Sequence, residues 1–233
     1  MSRVPFMDTA ALEEQIGYSF HNRELLEQAL THTSFANELP PDLHSFHYER
    51  LEFLGDAVLE AVSSAFLYKR FPKRKEGELT RLRAALVCEP SLAFCARKLG
   101  LDKILRLGRG EEEGGGRSKD SIVSDVLEAV IGAIFLDSGE DLAAPRAFIE
   151  KYVLCDIEER ELFYDAKSIL QERAQQSGKS IKYELTGEEG PAHARVYTST
   201  VYLDGVPAGT GSGSSKKESQ QHAAFAALKA ENK

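Results

Sequence analysis

The hydrophobic pattern of this chain changes period once, near residue 165, and that change limits the fold more than any other feature. From Thr9 to about Tyr164, apolar residues recur at three- and four-residue intervals. Leu12, Ile16, Leu25, Leu26, Ala29 and Leu30 fit such stripes, as do Leu51, Leu54, Val58, Ala61 and Val62. That spacing puts apolar side chains on one side of a 3.6-residue helix. Pro40-Pro41, Phe71-Pro72, Glu89-Pro90, the run from Gly108 to Gly116 and Ser138-Gly139 separate the stripes, at residues that break or redirect the backbone. An all-helical first domain is expected.

After Asp165 the pattern reads helix, three strands, helix. Ala166 to Gln176 is helix-like, with Ile169, Leu170 and Ala174 on one side. Ile181 to Leu185, Arg195 to Leu203 and Val206 to Gly211 read as strands, and Asp204-Gly205 is a two-residue hairpin signal between the last two. Ser214 or Ser215 is a natural N-cap for a final helix reaching Leu228. The expected organisation is an all-α domain over residues 1–160, a linker at 161–164 and a small α+β domain of order α-β-β-β-α over 165–233.

Composition narrows the class. The chain is 42% hydrophobic, too apolar for a disordered polymer. Its apolar runs fall short of the roughly 18 residues that cross a bilayer, and residues 1–9 lack the apolar core of a secretory signal. A cytoplasmic protein without membrane partners is expected. Cys88, Cys95 and Cys155 are odd in number and lack metal-ligand spacing, so they read as reduced thiols. Cys88 and Cys95, seven apart, are expected on one side of a helix. The glycine runs Gly114 to Gly116 and Gly211 to Gly213 lack the pattern of a phosphate-binding loop, so no nucleotide cofactor is expected. A net charge of −8 argues against a nucleic-acid binder taken whole. Residues 165–233, however, hold 9 Lys/Arg against 8 Asp/Glu, so the acid excess lies in the helical part.

Two segments concentrate that excess. In YERLEFLGDAVLEAV, Glu49, Glu52 and Asp56 share one helical face at i, i+3 and i+7, beside the stripe of Leu51, Leu54 and Val58. In SIVSDVLEAVIGAIFL, Asp125 and Glu128 form an i, i+3 pair inside an otherwise apolar helix. Buried charges need partners. The acids read either as a solvated surface with ordinary ion pairs, or as the hard oxygen ligands of Mg²⁺ in phosphodiester hydrolysis. Spacing leaves both open.

ERLEFLGDAVL (Glu49 to Leu59) and SIVSDVLEAVIGAIFLDSG (Ser121 to Gly139) resemble the two signature segments of bacterial ribonuclease III. QALTHTSFANE, EGELTRLRAALV and the loop before Lys119 resemble it too, in the same order. The resemblance implies divalent-metal-dependent endonucleolytic cleavage of double-stranded RNA by a homodimer. The products would carry 5′-phosphate and 3′-hydroxyl ends with short 3′ overhangs, and the work would include rRNA precursor and mRNA maturation. It places Glu52, Asp56, Asp125 and Glu128 on metal-binding and catalytic carboxylates, with two Mg²⁺ per site and Mn²⁺ as a substitute. Glu49 and Glu76 match further acidic positions around the cleft. Phe53 matches an aromatic inserted across the dimer interface, although as a residue it reads equally as core. Tyr48 and Ala57 stand where Asn and Ser are common, which implies altered local packing and unchanged chemistry.

The second domain resembles a double-stranded RNA-binding domain, through KSILQERAQQSG, GPAHARVYTSTVYLDG and GSGSSKKESQQHAAFAAL. Duplex RNA is recognised mainly by shape, across minor-groove hydroxyls and major-groove phosphates. By resemblance, Ser168, Gln171, Glu172 and Gln175 face one minor groove, His193 reaches the next, and Lys216 and Lys217 hold phosphates at a helix start whose N–H groups favour anions. Ser199 falls on the inward alternation with Tyr197 and Val201, where an apolar residue is usual. The alternative function is a non-catalytic duplex-RNA binder on a nuclease-like fold, which loss of acids at the signature positions would favour. None is lost.

Overall fold

The structure is a computed structural model that describes residues 9–155, 157, 166–191 and 195–231. It divides into two compact units, Met1–Cys155 and Asp156–Lys233. The expected linker at 161–164 lies outside the described residues.

The first unit is helical. Its elements are α1 (Ala10–Ile16), α2 (Arg23–Ala29), α3 (Thr33–Ala36), α4 (Glu49–Arg70), α5 (Glu76–Leu86), α6 (Glu89–Lys98), α7 (Leu101–Ile104), α8 (Arg109–Glu113), α9 (Asp120–Asp137) and α10 (Ala143–Tyr152), with 3₁₀ turns at Pro41–Leu43 and Gly116–Ser118. Helix α9 is the axis of the core. Ile122, Val123, Val126, Leu127, Val130, Ile131 and Ile134 are all buried, as are Ala129 and Ala133. A helix apolar on nearly every side must be enclosed by others, and α4 and α6 pack most extensively on this one. Each buried Leu or Ile contributes about 1.5–3 kcal/mol. The far end of α9 is tied to the segment before α2: the buried Asp137 carboxylate accepts hydrogen bonds from the Tyr18 hydroxyl at 2.8 Å and the backbone N–H groups of His21 (3.0 Å) and Asn22 (2.7 Å).

Two local expectations change. The run from Gly108 to Gly116 holds one helical turn, α8, whose start is fixed by the Gly108 N–H on Ser34 Oγ (2.9 Å) and the Arg109 N–H on Glu38 Oε1 (2.6 Å). Cys88 does not share a helix face with Cys95. It caps α6 from outside, because Pro90 sits in the first turn, and its thiol donates to the Ala85 carbonyl at 3.3 Å.

The second unit comprises α11 (Ala166–Gln176), β1 (Ile181–Glu189), β2 (Val196–Leu203), β3 (Val206–Gly213) and α12 (Lys216–Glu231). The sheet is antiparallel in the order β1-β2-β3. Ala166, Leu170, Val201, Ala223, Ala224, Ala227 and Leu228 form its core, with Ile169, Ile181, Tyr183 and Leu203 packed against it. Asp204 and Gly205 both take positive φ, 50° and 78°, as the tight hairpin requires. Strand β1 runs four residues past its expected end, because a bulge between Leu185 and Gly187 shifts the alternation while pairing continues. No helix among the described residues is long and apolar enough to cross a membrane.

Candidate metal site and RNA-contact surface

The carboxylates meet where α4 crosses α9, and a pair of glycines makes that crossing close. A Cβ on Gly55 would lie 1.7 Å from the Glu128 carbonyl oxygen, and one on Gly132 would lie 2.2 Å from that of Leu51. The backbones therefore touch directly, and the acids on either side of the contact come together. One carboxylate oxygen from each of Glu52, Asp125 and Glu128 lies within 4.8 Å of the others. All three residues are half-buried.

Burial and mutual repulsion set their protonation. Burial, then the charges of Asp125, Glu49 and Asp56, push the Glu52 carboxyl up to about 7. Burial, then Asp56, Asp125, Glu52 and Glu60, push Glu128 up to about 8. Asp125 is also raised, chiefly by burial, against hydrogen bonds from Ser124 and Tyr48 that favour its charged form. The charges that act on Glu128 among the described residues are all carboxylates. A divalent cation with oxygen ligands supplies what such a site lacks.

The other acids stand around this centre. Asp56 is exposed one turn beyond Glu52, near enough for its charge to raise both Glu52 and Glu128. Glu49 is exposed one turn before, with its Oε2 3.8 Å from His47 Nδ1. Glu76 is placed elsewhere, at the start of α5, where its carboxylate accepts the Thr80 hydroxyl at 2.8 Å. It lines a groove of about 500 Å³ with Ser64, Tyr68, Arg74 and Arg83. Phe53 is 80% exposed, so within one subunit it is not a core residue.

Tyr48 does more than alter packing. It is buried, its N–H donates to the Thr31 carbonyl at 3.0 Å just before α4, and its ring tilts against His32 with centroids 5.6 Å apart. Its hydroxyl lies near enough to Asp125, 77 positions away, to favour that carboxylate's charged form. Burial and the surrounding carboxylates push the phenol well above its ordinary value, so it remains a donor. Its local sequence carries no sign of this contact. The glycine pair could have been noticed, since Gly55 and Gly132 each sit inside an apolar helical run where glycine weakens the helix and implies close packing.

In the second unit, Ser168, Gln171, Glu172 and Gln175 are exposed at i, i+3, i+4 and i+7 along α11, on one face. His193 lies outside the described residues. Lys216 and Lys217 are exposed in the first turn of α12, and Lys216 Nζ sits 6.0 Å from the centroid of the Tyr197 ring. Ser199 points inward as expected and is fully buried, and its hydroxyl lies 2.7 Å from that of Ser219, also fully buried. The two serines together account for a polar residue at an inward position, and Ser219 went unnoticed because its partner is twenty residues away.

Comparison with known proteins assigns both units. The family model described as Ribonuclease-III-like matches residues 22–157, and that described as Double-stranded RNA binding motif matches residues 166–230. Fold and site thus define a helical nuclease domain followed by a duplex-RNA-binding domain. Ribonuclease 3 from Staphylococcus aureus (strain bovine RF122 / ET3-1) is 45% identical over 218 residues, covering 92% of this chain and 88% of the relative. Ribonuclease 3 from S. aureus strain JH9 matches to the same extent. Among solved structures, the nuclease domain of ribonuclease III from Campylobacter jejuni, described for flexibility in a region involved in dimer formation, is 45% identical with a TM-score of 0.56. It covers 62% of this chain and 98% of that one. The chain belongs to the ribonuclease III family and is an endoribonuclease of that class.

Proposed function

We propose that this chain hydrolyses phosphodiester bonds within double-stranded RNA in a Mg²⁺-dependent reaction, giving 5′-phosphate and 3′-hydroxyl ends. The observation that carries this reading is the trio Glu52, Asp125 and Glu128, half-buried within 4.8 Å of one another and raised in pKa chiefly by burial and then by neighbouring carboxylates. The donor set is all oxygen, which suits Mg²⁺ and, as a substitute, Mn²⁺. Glu52, Asp56, Asp125 and Glu128 would hold two ions per site, and Glu49 would line the cleft further out. When bound, the ions supply activation of the attacking water and stabilisation of the leaving oxygen. Tyr48 holds the Asp125 carboxylate in its charged, oriented form.

In the second domain, Ser168, Gln171, Glu172 and Gln175 contact one minor groove, His193 the next, and Lys216 and Lys217 the phosphates between. Phe53, exposed on α4, joins two copies into a homodimer. Its exposure and the dimer-forming C. jejuni nuclease domain support this role. The work is assigned to the cytoplasm, where reduced thiols such as Cys155 persist, and the substrates to rRNA precursors and mRNA.

The test is cleavage of long duplex RNA with Mg²⁺ by the parent chain and by Asp56→Asn. The parent should cut, leaving ends that ligate only through a 5′-phosphate, and Asp56→Asn should bind without cutting. Binding without cleavage by the parent would favour the non-catalytic alternative.

A further inference from the structure

The pair Ser199 and Ser219 is not needed to fill the core or to cap a helix. An apolar residue at 199 would face the same interior, and a buried hydroxyl pair adds little net stability. The start of α12 is already capped. Glu218 Oε2 accepts from the Ser214 N–H (2.7 Å) and hydroxyl (2.6 Å), and Ser215 Oγ accepts from the Glu218 N–H (3.1 Å).

What the pair does is join β2 to one residue of that helix. Ser219 Oγ lies 3.0 Å from the Lys216 carbonyl oxygen, which can only accept, so the Ser219 proton points there. The Ser199 hydroxyl then donates to Ser219 Oγ at 2.7 Å. The bonds form a relay from the strand to the Lys216 backbone. Tyr197, two residues earlier and on the same face of β2, lies under the other end of Lys216, with Nζ 6.0 Å from its ring centroid. Strand β2 therefore meets Lys216 at its carbonyl through the serines and brings the Tyr197 ring to the edge of cation–π range of its ammonium. The helix can lie this close because a Cβ on Gly211 of β3 would stand 2.4 Å from the Ala223 nitrogen.

We infer that Ser199 and Ser219 are positioning residues that fix Lys216 for contact with an RNA phosphate. The inference rests on the proposed phosphate contact of Lys216. A flexible lysine spends conformational entropy on binding, and a pre-placed one spends less, so the relay raises affinity for the RNA backbone without touching it.

The test uses the full chain and a duplex of about 30 base pairs, longer than the roughly 16 that such a module spans, with chelator present so that the RNA stays intact. Dissociation constants are measured across a salt series for the parent, Lys216→Ala, the double variant Ser199→Val/Ser219→Ala, and the triple combination. Replacing both hydroxyls by apolar groups leaves neither unpaired, and circular dichroism checks the fold. Ser199→Ala, which cuts only the link to the strand, serves as a second variant if the double fails to fold.

The double variant should bind about threefold or more weakly, with a log–log salt slope shallower by up to about 0.9, and should cost nothing further in the Lys216→Ala background. Parental binding by the double variant, with Lys216→Ala weakened, would overturn the positioning role and leave the phosphate contact standing. An equal loss in both backgrounds would also overturn it, as a merely structural effect. If Lys216→Ala itself bound like the parent, the phosphate contact would fall and the positioning role with it.

Discussion

The two units treat buried polar groups in opposite ways. In the helical unit, Glu52, Asp125 and Glu128 are half-buried, like-charged and in conflict, with Glu52 and Glu128 pushed up to about 7 and 8. In the second unit the inward-turned hydroxyls of Ser199 and Ser219 satisfy one another, while the cations Lys216 and Lys217 stay exposed. The first arrangement is complete only with something added. The serine pair is complete as folded. This gives the charge of −8 a structural meaning: the acid excess lies in the unit that holds the carboxylate cluster, and the duplex-RNA-binding domain is nearly balanced in charge.

The sharpest way to break the comparison is at the glycine crossing. Gly55→Val would place side-chain atoms where the Glu128 carbonyl stands. It should cost about 3 kcal/mol or more and abolish cleavage. Duplex binding should persist, because the second unit has its own core. Calorimetry with a parallel gel shift would separate the two effects.

Protonation gives the next largest effect. The folded-state pKa values of Glu52 and Glu128 lie above the unfolded value of about 4.3, so the folded chain binds more protons between the two. In chelator, the stability of the helical unit should therefore fall as pH rises from about 4.5 to about 8. Glu128→Gln should flatten that fall, and Mg²⁺ should raise the melting temperature more at pH 8 than at pH 5, where the ligands are protonated. Melting curves at a series of pH values, with and without Mg²⁺, report all three.

Tyr48→Phe removes the hydroxyl that favours the charged form of Asp125 and leaves the ring in place. It should raise the Mg²⁺ concentration for half-maximal cleavage about tenfold, measured by titrating Mg²⁺ at fixed RNA, with duplex affinity in chelator unchanged. Phe53→Ala should have the smallest effect on the fold, within about 0.5 kcal/mol for an exposed side chain. It should shift sedimentation at micromolar concentration from dimer towards monomer.

What could be read in the sequence was what short-range periodicity encodes. The helix Ala166–Gln176 has the bounds its pattern implied, and α9 extends the expected segment by one residue at each end. Five acids of α4 and α9 were legible as a triplet and a pair, since i, i+3 and i+7 fix a face without knowledge of the partner helix. Features set by distant contacts were not. The bulge after Leu185 hid the second half of β1, and the contacts of Tyr48 with Asp125 and of Ser199 with Ser219 depend on chain crossings that no local pattern records. Glu76, matched with the cleft by resemblance, sits in one subunit with Thr80 and outside the trio.

The central claim is that cutting belongs to the carboxylate cluster and holding to the second domain. Glu128→Gln, compared with the parent chain on one long duplex, tests it most directly, with single-turnover cleavage in Mg²⁺ and dissociation constants in chelator measured side by side. Cleavage should be lost by orders of magnitude while the dissociation constant stays within about twofold of the parent. Cleavage at the parental rate, or loss of binding together with cleavage, would contradict it.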